Sequence, residues 1–501
     1  MAKRLLRGCY VVTDPEALPE AGGIEDGAVL VEGGAVAAVG VWDDLRDRHP
    51  DAAVMGSARH MVLPGLVNAH HHGRGLSGIQ LGMPDDVLER WLIDFWRMPP
   101  LDTYLDTLHA NLKMIRSGVT CVLHAGYARE WGQGEAETRA ALRAYEDAGL
   151  RVAYAVGVED AVTLTLGDDR ALLASLPAGL ASRARDLLAP PDGAEIERYF
   201  ELVAALDEEA AGDGRTRILH GPSWHLWCSA GLLERVAADA AHRGLGIHMH
   251  ALESPLERDF AQRAYGTDTL AYLGARGILG PRTALAHGTW LSDAEIELCA
   301  ATGTAIAHNP SSNLRLRNGI APVARMLERG VEVGIGMDSW GLASDDDMLA
   351  EMRLTANLHR APGGDRFGPC PDHFDVLHMA TVGGARAAGY GDDGLGRLLP
   401  GSPADAILVD YDALCAPYLD PGVHPVAAFV HLVKPTHLDA VLVAGEPVLH
   451  DGRIANVDEE AVARELASVA ARPASEVFEA FAATLKALKP HVARYCDAVR
   501  D

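Results

Sequence analysis

Between residues 60 and 340 one pattern recurs eight times: a short apolar run rich in β-branched residues ends at a strand terminus, and a stretch of helical period follows. The runs are Val62–His72, Val119–His124, Arg151–Val158, Arg217–His220, Gly246–His250, Thr283–His287, Thr304–His308 and Val331–Asp338. Such alternation predicts a parallel sheet with crossover helices, and eight units are the number that closes the sheet on itself. The expected fold class is α/β, a (β/α)8 TIM barrel. A barrel carries its chemistry at the C-terminal ends of its strands. Seven of the eight runs end in His or Asp, and the third is followed by Glu159 and Asp160. An open doubly wound sheet would not gather all these ends at one mouth.

A barrel of about 250 residues leaves much of a 501-residue chain to assign. Gly27–Gly40 and Ala440–Ile454 each read as a hairpin of short alternating strands around a glycine-containing turn. The expectation is a small β-sandwich built from both chain ends, residues 1–60 with 397–455, beside a barrel of residues 61–396. Residues 456–501 are Ala-rich and helical in period, with interruptions expected at Pro473 and Pro490. Two insertions stand where loops shape a barrel mouth. Arg74–Pro100 carries Trp91, Phe95 and Trp96, bulk suited to walling an aromatic substrate, and Glu159–Gly193 is a candidate lid; both also read as ordinary surface helices.

A formal charge of −26 disfavours polyanionic partners, because nucleic acid and anionic membranes reward Lys and Arg clusters. The seven widely spaced cysteines include no C-x-x-C pair and read as free thiols in a reducing cytosol. The N-terminus makes a poor signal peptide, and no run approaches the roughly 18 apolar residues of a membrane-spanning helix. The expected partner is a small, neutral or cationic molecule, handled in the cytoplasm.

The strongest local signal is Pro64-Gly65-Leu66-Val67-Asn68-Ala69-His70-His71-His72. Side chains alternate along a strand, so His70 and His72 share a face and can chelate one ion, while His71 points away. His248 and His250 likewise share a face, with Glu253 beyond them; the imidazole nearer the mouth completes a set with His70 and His72, and the deeper His248 reads as a core histidine. His287 and Asp338 each end an apolar strand, where a carboxylate is costly unless it is paired or bound to metal. Three imidazoles and a carboxylate suit Zn²⁺ or Fe²⁺ and are poor ligands for Ca²⁺ or Mg²⁺.

The motifs PGLVNAHHH, HMHALE, LAHGTWLSDAE, IAHNPSSNLRLRNGIAPV and GIGMDS together resemble the amidohydrolase superfamily over about residues 60–400. Within it they resemble the branch of S-adenosylhomocysteine, methylthioadenosine and guanine-type deaminases and triazine hydrolases. The resemblance implies that His70, His72, His250 and Asp338 bind metal, that Glu253 shuttles a proton and that His287 orients water. It implies a pocket shaped by His308, Asn309 and Asn313. Two-metal relatives usually bridge their ions with a carboxylated Lys after the fourth strand. No lysine lies between residues 114 and 433 here, so one divalent transition metal per chain is expected, Zn²⁺ ahead of Fe²⁺.

Departures from the pattern bear on substrate. The Pro-His-x-Pro common in related deaminases is Pro222-Ser223-Trp224-His225, and Ser339-Trp340 follow Asp338 where Gly is more usual. Arg74, Gln80, Ser223, Trp224, His225, His308, Asn313, Ser339 and Trp340 are the candidate substrate contacts. The reading is a metal-dependent aminohydrolase that uses activated water to release ammonia from an aminated purine, pterin, pyrimidine or triazine. With Ser in place of His, a free ring is expected ahead of S-adenosylhomocysteine. The same site hydrolysing a C–Cl, alkylamino or cyclic amide bond is the nearest alternative, and an inactive structural protein is an alternative of another class. Relatives are often dimers or larger, so a homo-oligomer fits the resemblance.

Overall fold

The computed structural model describes residues 3–127, 133–161, 163–165, 169–189, 191–212, 214–338, 345–360 and 368–500. Five strands lead the chain: β1 (Arg4–Val12), β2 (Gly23–Glu32), β3 (Ala35–Val41), β4 (Ala53–Gly56) and β5 (His60–Pro64). Eight follow: β6 (Leu66–His71), β7 (Val119–Ala125), β8 (Arg151–Val158), β9 (Thr216–Pro222), β10 (Gly246–Ala251), β11 (Thr283–His287), β12 (Ala305–His308) and β13 (Val333–Ile335). The last four are β14 (Ala406–Asp410), β15 (Leu438–Val443), β16 (Glu446–His450) and β17 (Arg453–Ile454).

Strands β6 to β13 pair in sequence order as one parallel sheet. The ring draws together at the mouth, where His71 bridges to Asp338 and the amides of Met337 and Asp338 donate to the His70 carbonyl at 3.1 and 2.9 Å. All seven residues of β7 are buried, as expected of a parallel strand covered on both faces. The connecting helices are punctuated by their sequence: Ser292 and Glu295 form a reciprocal capping box, and Gly149, Gly244, Gly266 and Gly303 end helices in the left-handed conformation.

The first apolar run serves two sheets. Its Val62–Pro64 part lies in β5, paired antiparallel with β14, and only Leu66–His71 enters the barrel. Gly65 makes the switch, because a Cβ there would approach the Thr120 side chain to 2.3 Å. The two chain ends interleave in the order β17-β16-β15-β14-β5-β1-β2-β3, with β4 beside β1. The expected β-domain of the two chain ends is thus hydrogen-bonded as one curled sheet of nine strands. Leu6, Val29, Val31, Val62, Leu408 and Leu442 are buried together, and the sheet curls so that β3 returns onto the segment before β14 through Val36 N to Ser402 O at 2.9 Å.

A second apolar cluster covers the barrel mouth. It joins Leu88 and Ile93 of the first insertion, Leu172, Leu176 and Leu180 of the second, Trp224 after β9, and Leu485, Leu488 and Val492 of the helix Glu476–Arg500. Lys489 pins that helix to the first insertion through Asp86 at 3.0 Å and through Asp94. Cys9, Cys121, Cys228, Cys299, Cys370 and Cys415 are free thiols, and no helix among the described residues is long and apolar enough to cross a membrane.

Candidate active site

Three imidazoles meet inside the barrel, and each has its second nitrogen already committed. His72 Nδ1 donates to the Ala125 carbonyl at 2.8 Å, and His250 Nδ1 donates to the Ser223 carbonyl at 2.7 Å. His248 Nδ1 donates to Ala284 O at 2.9 Å, so its Nε2 accepts from His70 Nδ1 at 2.8 Å. Each Nε2 of His70, His72 and His250 is therefore a lone pair. That of His70 is buried with no partner among the described residues, and those of His72 and His250 face each other at 3.3 Å. Burial and the neighbouring imidazoles hold His70 and His250 well below the usual histidine range, and burial lowers His72 too. Converging unprotonated lone pairs repel unless a cation lies between them, so the donor set fits a bound metal ion.

Asp338 closes the set, with Oδ1 3.4 Å from His72 Nε2 and 3.7 Å from His70 Nε2. Its backbone and that of His287 adopt φ of 57° and 77°, conformations that are strained for residues other than glycine and that turn both side chains inward at their strand ends. Gly336 lets this happen: a Cβ there would lie 2.2 Å from Asn309 Oδ1 and 2.8 Å from His70 Cβ. Burial works to raise the Asp338 carboxyl, but the facing imidazoles and a 2.6 Å hydrogen bond from Ser312 outweigh it and keep the group ionised. His70, His72 and His250 form one group whose donor atoms lie within 4.8 Å of one another, and His70, His287 and Asp338 form a second.

Glu253 stands beside this cluster with Oε2 3.6 Å from His287 Nε2 and Oε1 accepting from Asn318 at 2.8 Å. Burial pushes its carboxyl up to about 7, so it is poised to give or take a proton near neutral pH. Its aim is set from behind by Glu257, whose carboxylate accepts from the amides of Leu252 and Glu253 at 2.6 and 2.7 Å and from His225 Nε2 at 2.8 Å. His287 Nε2 lies between the carboxylates of Glu253 and Asp338, at 3.6 and 3.9 Å, and its Nδ1 lies 2.9 Å from Asn313 Oδ1.

The cluster forms the floor of a cavity of about 890 Å³. Trp91, Phe95 and Trp96 of the first insertion, Trp224 and Trp227 after β9, and Phe478 and Phe481 of the helix Glu476–Arg500 supply its aromatic walls. The second insertion contributes Glu159, Leu164, Leu187 and Pro191. Of the expected substrate contacts, Ser223 and Trp224 line the cavity.

Other expected contacts are held elsewhere. The buried Arg74 bonds Tyr127 Oη and Asp106, Gln80 is exposed and accepts from Ser77, and His225 is turned onto Glu257. His308 is fully buried beside His359, with ring centroids 5.4 Å apart, and Asn313 serves His287. Ser339 and Trp340 lie outside the described residues. Sequence reasoning does not single out Glu257, Ser312 and Asn318, polar residues whose spacing carries no ligand signature, or Phe478 and Phe481 of the last helix, whose helical period does not say what they face.

Comparison with known proteins follows this geometry. Residues 61–448 match the amidohydrolase family, and residues 27–52 match a bacterial imidazolonepropionase-like composite domain. A 5'-deoxyadenosine deaminase of Methanothermobacter thermautotrophicus is 34% identical over 468 residues, 92% of this chain and 97% of the relative. A 5-methylthioadenosine/S-adenosylhomocysteine deaminase of Pelotomaculum thermopropionicum is 30% identical over 472 residues, 93% of this chain and 97% of the relative. The crystal structure of an adenosine deaminase from Xanthomonas campestris with bound zinc superposes with a TM-score of 0.78 at 26% identity, over 93% of this chain and 98% of that one. The chain belongs to the amidohydrolase family.

Proposed function

We propose that the protein is a metal-dependent aminohydrolase that releases ammonia from an adenosine-type nucleoside. The observation that carries this reading is the Glu253 carboxyl, 3.6 Å from His287, beside converging histidine lone pairs and Asp338 on the floor of an aromatic-walled cavity. His70, His72, His250 and Asp338 would hold one divalent ion, zinc ahead of iron, and the ion supplies Lewis acidity and an activated water when bound. Asp338 accepts a proton from the attacking water through a carboxylate oxygen. Glu253 gives its proton to the ring nitrogen beside the amino-bearing carbon as the new C–O bond forms. The His287 ring, between the two carboxylates, orients the attacking oxygen and offsets the charge that develops on it. The proton taken by Asp338 passes to the amino group, the C–N bond breaks as the hydroxyl proton of the adduct returns to the Glu253 carboxylate and a C=O forms, and ammonia leaves.

Two features support a nucleoside over a bare ring, which Ser223 by itself had suggested. A cavity of about 890 Å³ lies near the top of the range for small-molecule sites and leaves a lone heterocycle loosely held. The named relatives are also nucleoside deaminases. The cavity's charged side chains, among the described residues and apart from histidine, are all carboxylates, which disfavours a phosphate or carboxylate on the substrate. We therefore rank 5'-deoxyadenosine and 5'-methylthioadenosine ahead of S-adenosylhomocysteine. The test is ammonia release by protein purified without chelator, across these nucleosides, adenine, an aminotriazine and a cyclic amide, with metal content measured in parallel. We expect about one equivalent of zinc or iron and highest kcat/KM on the uncharged nucleosides. Opening of the cyclic amide with no ammonia from any substrate would sink the reading.

A further inference from the structure

Two acidic residues follow β8, and the fold uses them differently. Asp160 caps a neighbouring element: its carboxylate accepts from the amide and hydroxyl of Ser229 at 2.6 and 2.5 Å, at the start of the helix Ala230–Arg243. Glu159 lines the cavity instead. Ser223, whose hydroxyl reaches Val158 O at 3.5 Å, shares the cavity wall with it, and no described cation acts on it. A half-buried carboxylate with one neutral neighbour has acceptor capacity to spare, which a native fold rarely wastes.

Its position relative to the reaction centre is set by the barrel. Ser223 donates its amide to Val158 O at 3.0 Å and offers its carbonyl to His250 Nδ1 at 2.7 Å, so β8, β9 and β10 are stitched in order at the mouth. Glu159 thus stands two strands along the wall from His250, and two from His72 in the other direction past β7. At about 4.8 Å per strand this is about 10 Å from either histidine-bearing strand. That span matches the reach of a purine nucleoside from its amino-bearing carbon to its ribose hydroxyls.

The geometry points to Glu159 as the specificity residue that accepts hydrogen bonds from the vicinal ribose hydroxyls while the base lies at the histidine cluster, an assignment that rests on the aminohydrolase reading above. The two oxygens of a carboxylate accept without donating, which suits two hydroxyl donors on adjacent carbons. A free base would bury Glu159 without supplying those donors. Burial pushes the carboxyl up to about 7, the behaviour of an acceptor short of donors. Ser223 then acts with it, holding the carboxylate where a bulkier side chain would fill the space.

The test compares adenosine with 2',3'-dideoxyadenosine as substrates for the full-length, metal-replete wild type, Glu159→Gln and Glu159→Ala. Wild type is expected to favour adenosine by about tenfold to a hundredfold in kcat/KM, the value of hydrogen bonds to a charged group. Glu159→Ala should lose most of that preference through a raised KM for adenosine, with unchanged metal content and thermal midpoint, and Glu159→Gln should retain part of it. Equal turnover of the two substrates by wild type overturns the assignment without any variant. So does a preference that survives in both variants, or a fall in kcat shared equally by both substrates, which would make Glu159 a proton-transfer group. Ammonia released from adenine but from neither nucleoside refutes the ribose assignment and leaves the aminohydrolase reading standing. Ammonia from none of the three refutes both.

Discussion

His70, His72 and His250 owe their shared chemistry to what their Nδ1 atoms bond, and that separates the roles of neighbouring residues. Replacing His250 with Ala removes a lone pair from the cluster, so metal content and activity should fall together. Glu253→Gln keeps the hydrogen bond from Asn318 and removes the transferable proton. It should retain metal and lose about 10²–10⁴ in kcat, and loss of metal instead would reassign Glu253 as a ligand. His248 is predicted to act through His70: with its Nε2 accepting from His70 Nδ1, His248→Leu should weaken metal affinity about 10–100-fold without abolishing binding, measured by competition with a chelator. The placement of His70 and His72 was legible because alternation along a strand separates them from His71, which the structure turns toward Asp346 at 3.2 Å. Arg74, Gln80 and His225 were not separable from true cavity residues, because their side-chain types suit a pocket and a brace equally well. Which they become depends on Asp106, Ser77 and Glu257 arriving from elsewhere in the chain or from the next turn.

Among the elements, the helix Glu476–Arg500 departs most from its sequence reading. Pro473 falls between helices as expected, but Pro490 sits inside a continuous helix. An interior proline forfeits a backbone hydrogen bond, and the burial of Leu485, Leu488 and Val492 in the mouth cluster offsets that loss. The same helix presents Phe478 and Phe481 to the cavity. Replacing both with Ala should raise KM several-fold while kcat and metal content hold, since neither touches the histidine cluster; an equal loss of kcat would place them closer to the chemistry. The helix Met348–Leu358 carries a different signature. Burial, reinforced by Asp345 and Asp347, pushes Glu351 up to about 8, and its carboxylate accepts from Ser311 N at 3.3 Å. Because the folded value lies above the ordinary 4.5, its stabilising contribution is complete below that pH and is lost as pH rises through 8. Glu351→Gln should therefore melt above wild type by a margin that widens from pH 5 to pH 8, and a pH-independent gap would show that the group does not titrate there.

At the scale of the molecule, barrel and curled sheet are joined by buried charge. Arg151, at the start of β8, makes a two-pronged pair with Asp405 at 2.8 and 3.0 Å, and Asp405 also accepts from Ala444 N at 2.7 Å. Removing one member strands the other, so Asp405→Ala should cost about 3–5 kcal/mol, seen as an earlier denaturation midpoint with metal content and kcat intact below the transition. Loss of metal in the folded variant would mean that the sheet holds the mouth in shape.

The sequence by itself determined the barrel and which His and Asp residues end its strands, because strand alternation, eightfold recurrence and strand-end residue types are local properties of the chain. It also indicated that both chain ends form β-structure. It left open how those ends interleave, since strands that pair across some 350 residues carry no mark of their partners, as Met61 with Val409 illustrates. Only the tertiary structure decided that Val62–Pro64 belongs to the curled sheet, that Glu257 aims Glu253, and that the last helix roofs the cavity. Each of these rests on packing between distant segments, where burial and hydrogen bonding select one arrangement among many that the local pattern allows.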